Sequence, residues 1–184
     1  MKFVVSFLGL LAFVAAYAQE LPTAPEGFSW ERLPELKSAL LKPKSWHVRR
    51  EERGTTVGYF ISKEPITEHG GFTTGLTFQC IRKVDRAIGV PASAYIAQFA
   101  DAAAEKRKFD ERRSFRMGPF DAVRFRYISA PANEASVTIV NLLIANDKTG
   151  TVFVVIFEAP TETWVSDYKV GEVILKKMLL DDEI

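Results

Sequence analysis

Two apolar runs late in the chain constrain its fold more than any other feature. They cover residues 137–144 and 151–157, are rich in valine, isoleucine and phenylalanine, and flank a polar loop that ends at Gly150. Two β-branched runs joined by a short loop of this kind are typical of a β-hairpin. We therefore predict a pair of antiparallel strands in this part of the chain.

Both predicted strands are apolar on both faces. In the second run, one face carries Phe153, Val155 and Phe157, and the other carries Val152, Val154 and Ile156. A strand that is apolar on both faces has to be covered on both, because otherwise one apolar face would lie in water. Other segments of the chain must therefore pack above and below this hairpin.

Two segments have the residue spacing of helices that would provide this cover. The first begins near Pro91, where the missing N–H removes no helical hydrogen bond, and Phe99 belongs to its apolar stripe. The second follows Pro160, and its apolar stripe includes Trp164 and Gly171. Since glycine costs about 1 kcal/mol of helix stability relative to alanine, we predict that the helix touches the sheet at this glycine.

These elements predict a single α+β domain. Several alternating runs precede the first helix, and two more predicted strands lie between this helix and the central hairpin. Hairpin connections make the predicted sheet largely antiparallel, and one helix is available for each face. The predicted architecture is an α/β/α sandwich formed by residues 27–184, after a flexible lead-in at residues 19–26. Residues 36–41 fit helical spacing slightly better than strand spacing.

The first 18 residues have the pattern of a cleaved export signal. Lys2 precedes an apolar stretch at residues 3–13, and Ala16 and Ala18 frame an A-x-A cleavage pattern. A membrane anchor needs about 20 apolar residues, whereas a charge already follows here at Glu20. We therefore predict an exported protein, periplasmic or secreted, that is cleaved between Ala18 and Gln19 and has no stable membrane insertion afterwards.

The balance of charge argues against some classes of partner. The chain has 24 basic and 23 acidic residues, and cleavage removes only the basic Lys2, so the mature chain has no net charge. A neutral chain lacks bulk attraction for nucleic acid or anionic lipid. Cys80 is the only cysteine, so no disulfide can form within the chain and its core alone must stabilise the fold.

A set of turns and aromatic residues occurs in an order known from other proteins. The features are the step at residues 42–46 (Lys-Pro-Lys-Ser-Trp), one helix after a long strand, the turn at residues 117–120 (Met-Gly-Pro-Phe) and a closing helix with Trp164. In these features, over residues 27–180, the chain resembles the PsbP-like family, whose fold is shared with the Ran-binding import factor of the Mog type. The resemblance implies an α/β/α sandwich around an antiparallel sheet.

The resemblance also implies a role without catalysis. Members of the family dock on photosystem II or bind a small GTPase, and many are exported bacterial proteins of unknown role. This chain resembles the last group, because it starts with an export signal and has no plastid transit sequence. No metal-binding or docking residue of the photosystem protein can be matched onto this sequence, so neither role is carried over.

A basic segment at residues 106–126 provides the main candidate site, with eight basic residues against three acidic ones. Arg124 and Arg126 share a strand face, and we expect Ser114 and Arg116 to lie alongside them. Arginines displayed from a sheet suit a carboxylate, a phosphate or an acidic partner, which makes Arg113, Arg116, Arg124 and Arg126 candidate binding residues. The favoured alternative is a solvent-facing strand whose arginines pair with acids elsewhere, as the neutral total charge suggests.

A loop at residues 64–71 is a weak candidate for binding a cation. Glu64, Glu68 and His69 offer oxygen and nitrogen donors within this glycine-containing loop. Zinc would need a second histidine at a definite spacing, and no ligand-spacing motif is met. A solvated loop without metal is therefore favoured.

Cys80 is a candidate nucleophile with a stronger structural alternative. A cysteine nucleophile needs a base, and only His47 and His69 are present in the chain. Cys80 shares its predicted strand face with Leu76 and Phe78, which favours a buried structural role.

The sequence thus predicts an exported, non-catalytic binding or assembly module that acts through contact with another protein at the cell envelope. No catalytic motif and no cofactor-binding motif is present. The alternative is a protein that binds a small apolar or anionic ligand, as its fourteen phenylalanines and its arginine-bearing face suggest. A hydrolase that uses Cys80 is the least favoured of the three interpretations.

Overall fold

The computed structural model describes residues 21–54, 56–68 and 71–184, which form two β-sheets and three α-helices. The small sheet consists of β1 (Phe28–Leu33) and β2 (Ser38–Pro43). The large sheet consists of β3 (His47–Arg53), β4 (Thr56–Ser62), β5 (Gly75–Ile81), β6 (Glu111–Met117), β7 (Phe120–Ser129), β8 (Val137–Asn146) and β9 (Thr151–Pro160). The helices are α1 (Val84–Ile88), α2 (Ala92–Lys106) and α3 (Trp164–Lys177).

The hairpin of β8 and β9 lies at the centre of the large sheet. The strand order is β3-β4-β5-β9-β8-β7-β6, and every neighbouring pair is antiparallel, so β3 and β6 are the two edges. Both faces of the hairpin are covered, since Phe153 and Val155 are 0% exposed and Val154 is 7% exposed. The predicted hairpin with two buried faces is therefore confirmed.

Helices cover the two faces of the large sheet from opposite sides. Ile174 and Leu175 of α3 pack with the small sheet against the face that carries Phe157. Ile96 of α2 packs against the other face, which carries Val154. The predicted α+β sandwich, a largely antiparallel sheet with helices on both faces, is confirmed.

Gly171 fixes how closely α3 approaches the sheet. A Cβ atom at this position would lie 2.7 Å from the ring of Phe157, closer than carbon atoms can pack. The same ring contacts Trp164 and Tyr168, with centroid separations of 5.8 and 5.9 Å. The predicted close contact at Gly171 is confirmed, and it holds the aromatic side chains of α3 over β9.

Helix α2 faces the sheet with small residues. Ala92, Ile96, Ala100 and Ala103 are buried, whereas Phe99 is 41% exposed. The expectation that Phe99 belongs to the buried stripe is wrong, because the helix turns these four residues towards the sheet and Phe99 lies beside their stripe.

The first turn of α2 is capped from another part of the chain. No side chain next to the start of the helix provides a cap. Instead, the carboxylate of Asp147, in the turn between β8 and β9, accepts hydrogen bonds from the N–H of Ser93 at 2.7 Å and from its hydroxyl at 2.6 Å. A carboxylate at a helix N-terminus satisfies a free N–H group and complements the helix dipole.

Residues 36–41 differ from the sequence-based expectation. The chain forms a short 3₁₀ turn at Pro34–Leu36 and then enters β2, so the preference for a helix is wrong. The reason is tertiary: β1 supplies backbone hydrogen bonds along the whole of β2. Leu40 and Leu41, on opposite faces of the strand, are both fully buried.

Candidate functional site

A groove of about 210 Å³ opens between α3 and the strands β6 and β7. Its apolar lining comes from Phe115, Met117, Leu142 and Leu175, and its polar lining from Arg113, Arg124, Tyr168, Glu172 and Lys176. Three of these side chains are cationic and one is anionic. The groove therefore combines apolar surface with an excess of positive charge.

The two periodicities of strand and helix build this groove. Alternation along β6 places Arg113, Phe115 and Met117 on the face towards α3. On α3, Tyr168 and Leu175 are seven residues apart and therefore lie on one side of the helix. Gly171 holds α3 closely against β9, which is separated from β6 by β8 and β7 in the sheet. The space between α3 and the strands β6 and β7 stays open and forms the groove.

Arg124 carries the most enclosed cation of the groove. Its side chain is 15% exposed, compared with 57% for Arg113 and 69% for Lys176. One terminal nitrogen, Nη2, donates a hydrogen bond to the hydroxyl of Tyr168 at 2.8 Å. Nε is buried and has no hydrogen-bond partner among the described residues. Arg124 thus retains a donor that the described part of the chain does not use.

Tyr168 serves Arg124 as a neutral acceptor. Burial raises the pKa of its hydroxyl, and the nearby Arg124 opposes this only in part. The hydroxyl therefore stays protonated at neutral pH, and it does not neutralise the guanidinium. The guanidinium carbon also lies 5.7 Å from the centre of the tyrosine ring, within the range of a cation–π contact.

Arg113 lies directly opposite Arg124 in the hairpin of β6 and β7. Both arginines approach the same carboxylate, that of Glu111, at 3.6 Å for Arg113 and 3.4 Å for Arg124. These separations are longer than the roughly 2.7–2.9 Å of a well-formed charge-assisted hydrogen bond. The carboxylate of Glu111 is therefore shared by the two guanidinium groups and forms a close ion pair with neither.

The other two candidate arginines are neutralised within the hairpin region. Nε of Arg126 lies 2.9 Å from both carboxylate oxygens of Asp110, and these hydrogen bonds raise the pKa of the guanidinium. Arg116 lies opposite Asp121 and 3.0 Å from its carboxylate. The expectation that Ser114 and Arg116 lie alongside Arg124 and Arg126 is wrong, because the register places both on the opposite face of the sheet.

The candidate metal loop is organised by its own backbone. The carboxylate of Glu64 accepts hydrogen bonds from the N–H groups of Thr74 at 3.0 Å and Thr73 at 3.3 Å, while Glu68 is exposed. His69 lies outside the described residues. Within residues 21–54, 56–68 and 71–184, no group of three or more His, Cys, Asp or Glu side chains is placed to hold a metal ion.

Cys80 is buried in the core between the sheet and α3. Its side chain is 0% exposed, and burial raises the pKa of the thiol to about 11. His47 projects from the opposite face of the sheet, because it begins β3 on the side away from α3. Burial and the raised pKa keep the thiol protonated, and the one histidine within the described residues points away from it, so Cys80 is buried in the core as the favoured interpretation predicted.

The described helices include none that is long and apolar enough to cross a membrane. The predicted cleavage site at Ala18 and Gln19 lies outside the described residues.

Solved structures share the backbone arrangement of this chain. The solution structure of cyanobacterial PsbP (CyanoP) from Synechocystis sp. PCC 6803 matches with a TM-score of 0.54 at 7% identity, over 88% of this chain and 99% of that one. The Saccharomyces cerevisiae Ran-binding protein Mog1p matches with a TM-score of 0.51 at 13% identity, over 83% and 95%. The protein has the PsbP/Mog1 fold.

A third structure with this likeness is LpqN, described as involved in cell envelope biogenesis of Mycobacterium tuberculosis. Its TM-score is 0.51 at 17% identity, over 78% of this chain and 83% of LpqN. The predicted resemblance is thereby confirmed for the PsbP/Mog1 fold. No family model matches the sequence, and no significant match is found among curated proteins. The residues of the groove are therefore interpreted from their own geometry.

Proposed function

We propose that this protein is an exported binding module that acts through contact with another protein at the cell envelope and performs no chemistry itself. Residues 1–18 would direct export, with cleavage between Ala18 and Gln19. The observation that carries the proposal is the groove beside β6, where apolar side chains surround the partly neutralised Arg124. Such a mixture is typical of the centre of a protein interface, where arginine and aromatic residues are enriched.

The size of the groove favours a protein partner over a small ligand. Pockets that enclose whole small molecules measure roughly 300–1,000 Å³. The groove measures about 210 Å³ and is open along one side, which suits one or two side chains presented by another polypeptide. A small apolar carboxylate is the second candidate occupant, because the same lining offers apolar contact and a cation.

Two proteins with this fold support the proposed function on separate points. Mog1p is a Ran-binding protein, and LpqN is involved in cell envelope biogenesis. The first precedent supports a mode of action by protein contact, and the second supports the envelope as its place. The inert environment of Cys80 supports the absence of catalysis.

Site-specific photocrosslinking in the native host tests this proposal. A photoreactive amino acid would replace Phe115 or Met117 in the groove and, as a control, the exposed Gln98 on α2. We expect one discrete adduct with another protein from each groove position and none from the control. The intact mass of the purified mature chain would show in the same preparation whether it begins at Gln19.

Three results would contradict the proposal. Groove positions that give no adduct, or the same adducts as the control position, would remove the partner. A chain retained in the cytoplasm with residues 1–18 intact would remove the export. Native mass spectrometry that finds a small apolar carboxylate held by the protein would favour the second candidate instead.

A further inference from the structure

Two arginines face each other across the hairpin of β6 and β7. Arg113 and Arg124, called here the arginine pair, are register partners on the face that lines the groove. Directly opposite side chains in antiparallel strands have Cβ atoms about 5 Å apart, so like charges there repel. An arrangement of this kind costs stability unless an anion neutralises it.

The other arginines of this hairpin have closer carboxylate partners, among them Arg112, which lies 2.6 Å from Asp101 of α2. Arg116 faces Asp121, with 3.0 Å between guanidinium and carboxylate, and Arg126 binds Asp110 at 2.9 Å. Within the described residues, the arginine pair has Glu111 at 3.4 and 3.6 Å, and Glu172 in the groove lining adds a weaker attraction to Arg124. The buried Nε of its inner member has no hydrogen-bond partner among the described residues. Arg113, which is 57% exposed and no closer than 3.6 Å to Glu111, therefore leaves room for one more carboxylate at the arginine pair.

The position of the arginine pair next to a sheet edge indicates how that carboxylate would arrive. On its outer side, β6 pairs with no other described strand, so its outward N–H and C=O groups are available to an added strand. Arg113, Phe115 and Met117 project into the groove at every second residue. A segment extended along β6 would present its own side chains with the same spacing of two residues.

We propose that the groove binds an extended segment of a partner protein that adds to the sheet beside β6 and places an aspartate or glutamate on the arginine pair. The residue two positions away in that segment is apolar and enters the groove beside Phe115 and Leu175. This inference rests on the proposed function and specifies the chemistry of the partner. The recognised pattern is acidic-x-apolar or its reverse, according to the direction of the added strand.

Charge and shape both point to this occupant. The groove lining carries three cations, against Glu172 in the lining and Glu111 beside it, and the remaining excess of positive charge favours an acidic partner. Phe115 and Met117 are half-buried apolar residues on a strand whose other residues are polar, and both line the groove. Main-chain pairing along an edge strand supplies affinity, whereas the two side-chain positions supply specificity.

Selection from a random library of displayed heptapeptides tests the proposal on the purified protein. We expect enrichment of peptides with an acidic residue and an apolar residue two positions apart. Replacing the selected acidic residue by its amide should weaken binding at least about tenfold, since it removes a charge-assisted contact to a partly buried arginine. Methylating the peptide N–H groups that face β6 should abolish binding, whereas methylating the alternate N–H groups should not.

Variants of the protein place the contact on the arginine pair. Arg113→Glu reverses the charge of a side chain that is 57% exposed and should leave the fold intact while abolishing peptide binding. Arg53→Glu makes the same change on the opposite edge strand, at a side chain that is 86% exposed, and should leave binding unchanged. Circular dichroism and the unfolding midpoint of each variant confirm that folded proteins are compared.

Several results of these experiments would contradict the inference. Selected peptides without an acidic residue, binding that survives Arg113→Glu, or no enriched peptide would each remove the acidic segment as the occupant. Octanoate that binds with at least the affinity of the best peptide would make the groove a small-carboxylate site. If the groove positions give adducts but any of these results is found, the proposed function stands and only this inference is removed. If acidic peptides are selected but no adduct forms in the host, the peptide preference of the groove stands and the proposed partner at the cell envelope is removed.

Discussion

The two edges of the large sheet are both rich in arginine, but they treat its charge differently. On β3, Arg49 and Glu51 are 2.6 Å apart, and Arg50 and Glu52 are also 2.6 Å apart. Each of these pairs joins residues two apart on the same face of the strand. On β6, Arg113 has no such neighbour at short range, and its nearest carboxylate lies at 3.6 Å.

This difference separates two uses of charge on an edge strand. Charged side chains on an edge strand discourage another chain from pairing with it. The edge formed by β3 follows this pattern. On β6, Arg112 and Arg116 have acidic partners at 2.6 and 3.0 Å, but Arg113 is left incompletely neutralised beside an apolar groove, which points to recognition and not only to protection. Four substitutions would break or sharpen this comparison.

The largest effect is expected from Gly171→Val, which acts on the wall of the groove. A Cβ here would lie 2.7 Å from the buried ring of Phe157, so α3 or the ring must move. We expect the free energy of unfolding in urea to fall by about 3 kcal/mol, the upper range for overpacking a core. Lys169→Val, on the exposed side of the same helix, places valine where the sheet is not in contact; because valine is a better helix former than glycine, helix propensity cannot explain a loss at Gly171. A loss no larger than that of this control would mean that the contact is not rigid.

A smaller loss is expected from Arg49→Met on β3. This arginine pairs with Glu51 at 2.6 Å and donates to the carbonyl oxygen of Thr67 at 2.5 Å. Removing both contacts should lower the free energy of unfolding by about 1 kcal/mol. The loss should shrink in 1 M salt, where exposed ion pairs are screened. Unchanged stability would show that the charges on β3 do not support one another.

Glu158 on β9, between the two edges, shows the cost of burying a carboxylate that has no ion-pair partner among the described residues. Burial raises the pKa of Glu158 on β9, so the folded state binds its proton more tightly than the unfolded state. Stability therefore falls as the pH rises from the unfolded pKa, about 4.3, through the folded pKa. We expect Glu158→Gln to be more stable than the wild type at pH 7 and equally stable at pH 3, measured by urea unfolding. Equal stability at pH 7 would contradict this reasoning.

The smallest effect, of opposite sign to that on β3, is expected from Arg113→Met. Because this arginine faces Arg124, its removal relieves repulsion between like charges. The free energy of unfolding should rise by about 0.5 kcal/mol or less, although the binding site loses a cation. A clear loss of stability, like that expected for Arg49→Met, would mean that both edges neutralise their charge equally well.

Much of the fold could be predicted because the central hairpin is apolar on both faces. That pattern requires two covering layers, and the stripe containing Trp164 and Gly171 identifies one of them. The strand at residues 38–43 could not be predicted in the same way, because Leu40 and Leu41 are both buried by tertiary contacts that no local spacing reveals. The exposure of Phe99 could not be predicted either, because local spacing does not reveal which side of α2 faces the sheet.

The candidate site could be predicted in part. Sequence spacing places Arg124 and Arg126 on one face, whereas the face of Arg116 follows only from the register of the hairpin. The two-residue turn Gly118-Pro119 pairs positions at equal distances on either side, which sets Arg113 against Arg124 and Arg116 against Asp121. The role of Tyr168 could not be predicted, because it depends on where α3 lies over the sheet.

The capping of α2 by Asp147 has a consequence for engineering this protein. Tips of hairpins are usually the safest places to insert a tag, a fluorophore site or a second domain. Here the tip also holds the start of a helix 54 residues earlier in the chain. An insertion at this tip would release the first turn of that helix from its carboxylate, so a label is better placed in another loop.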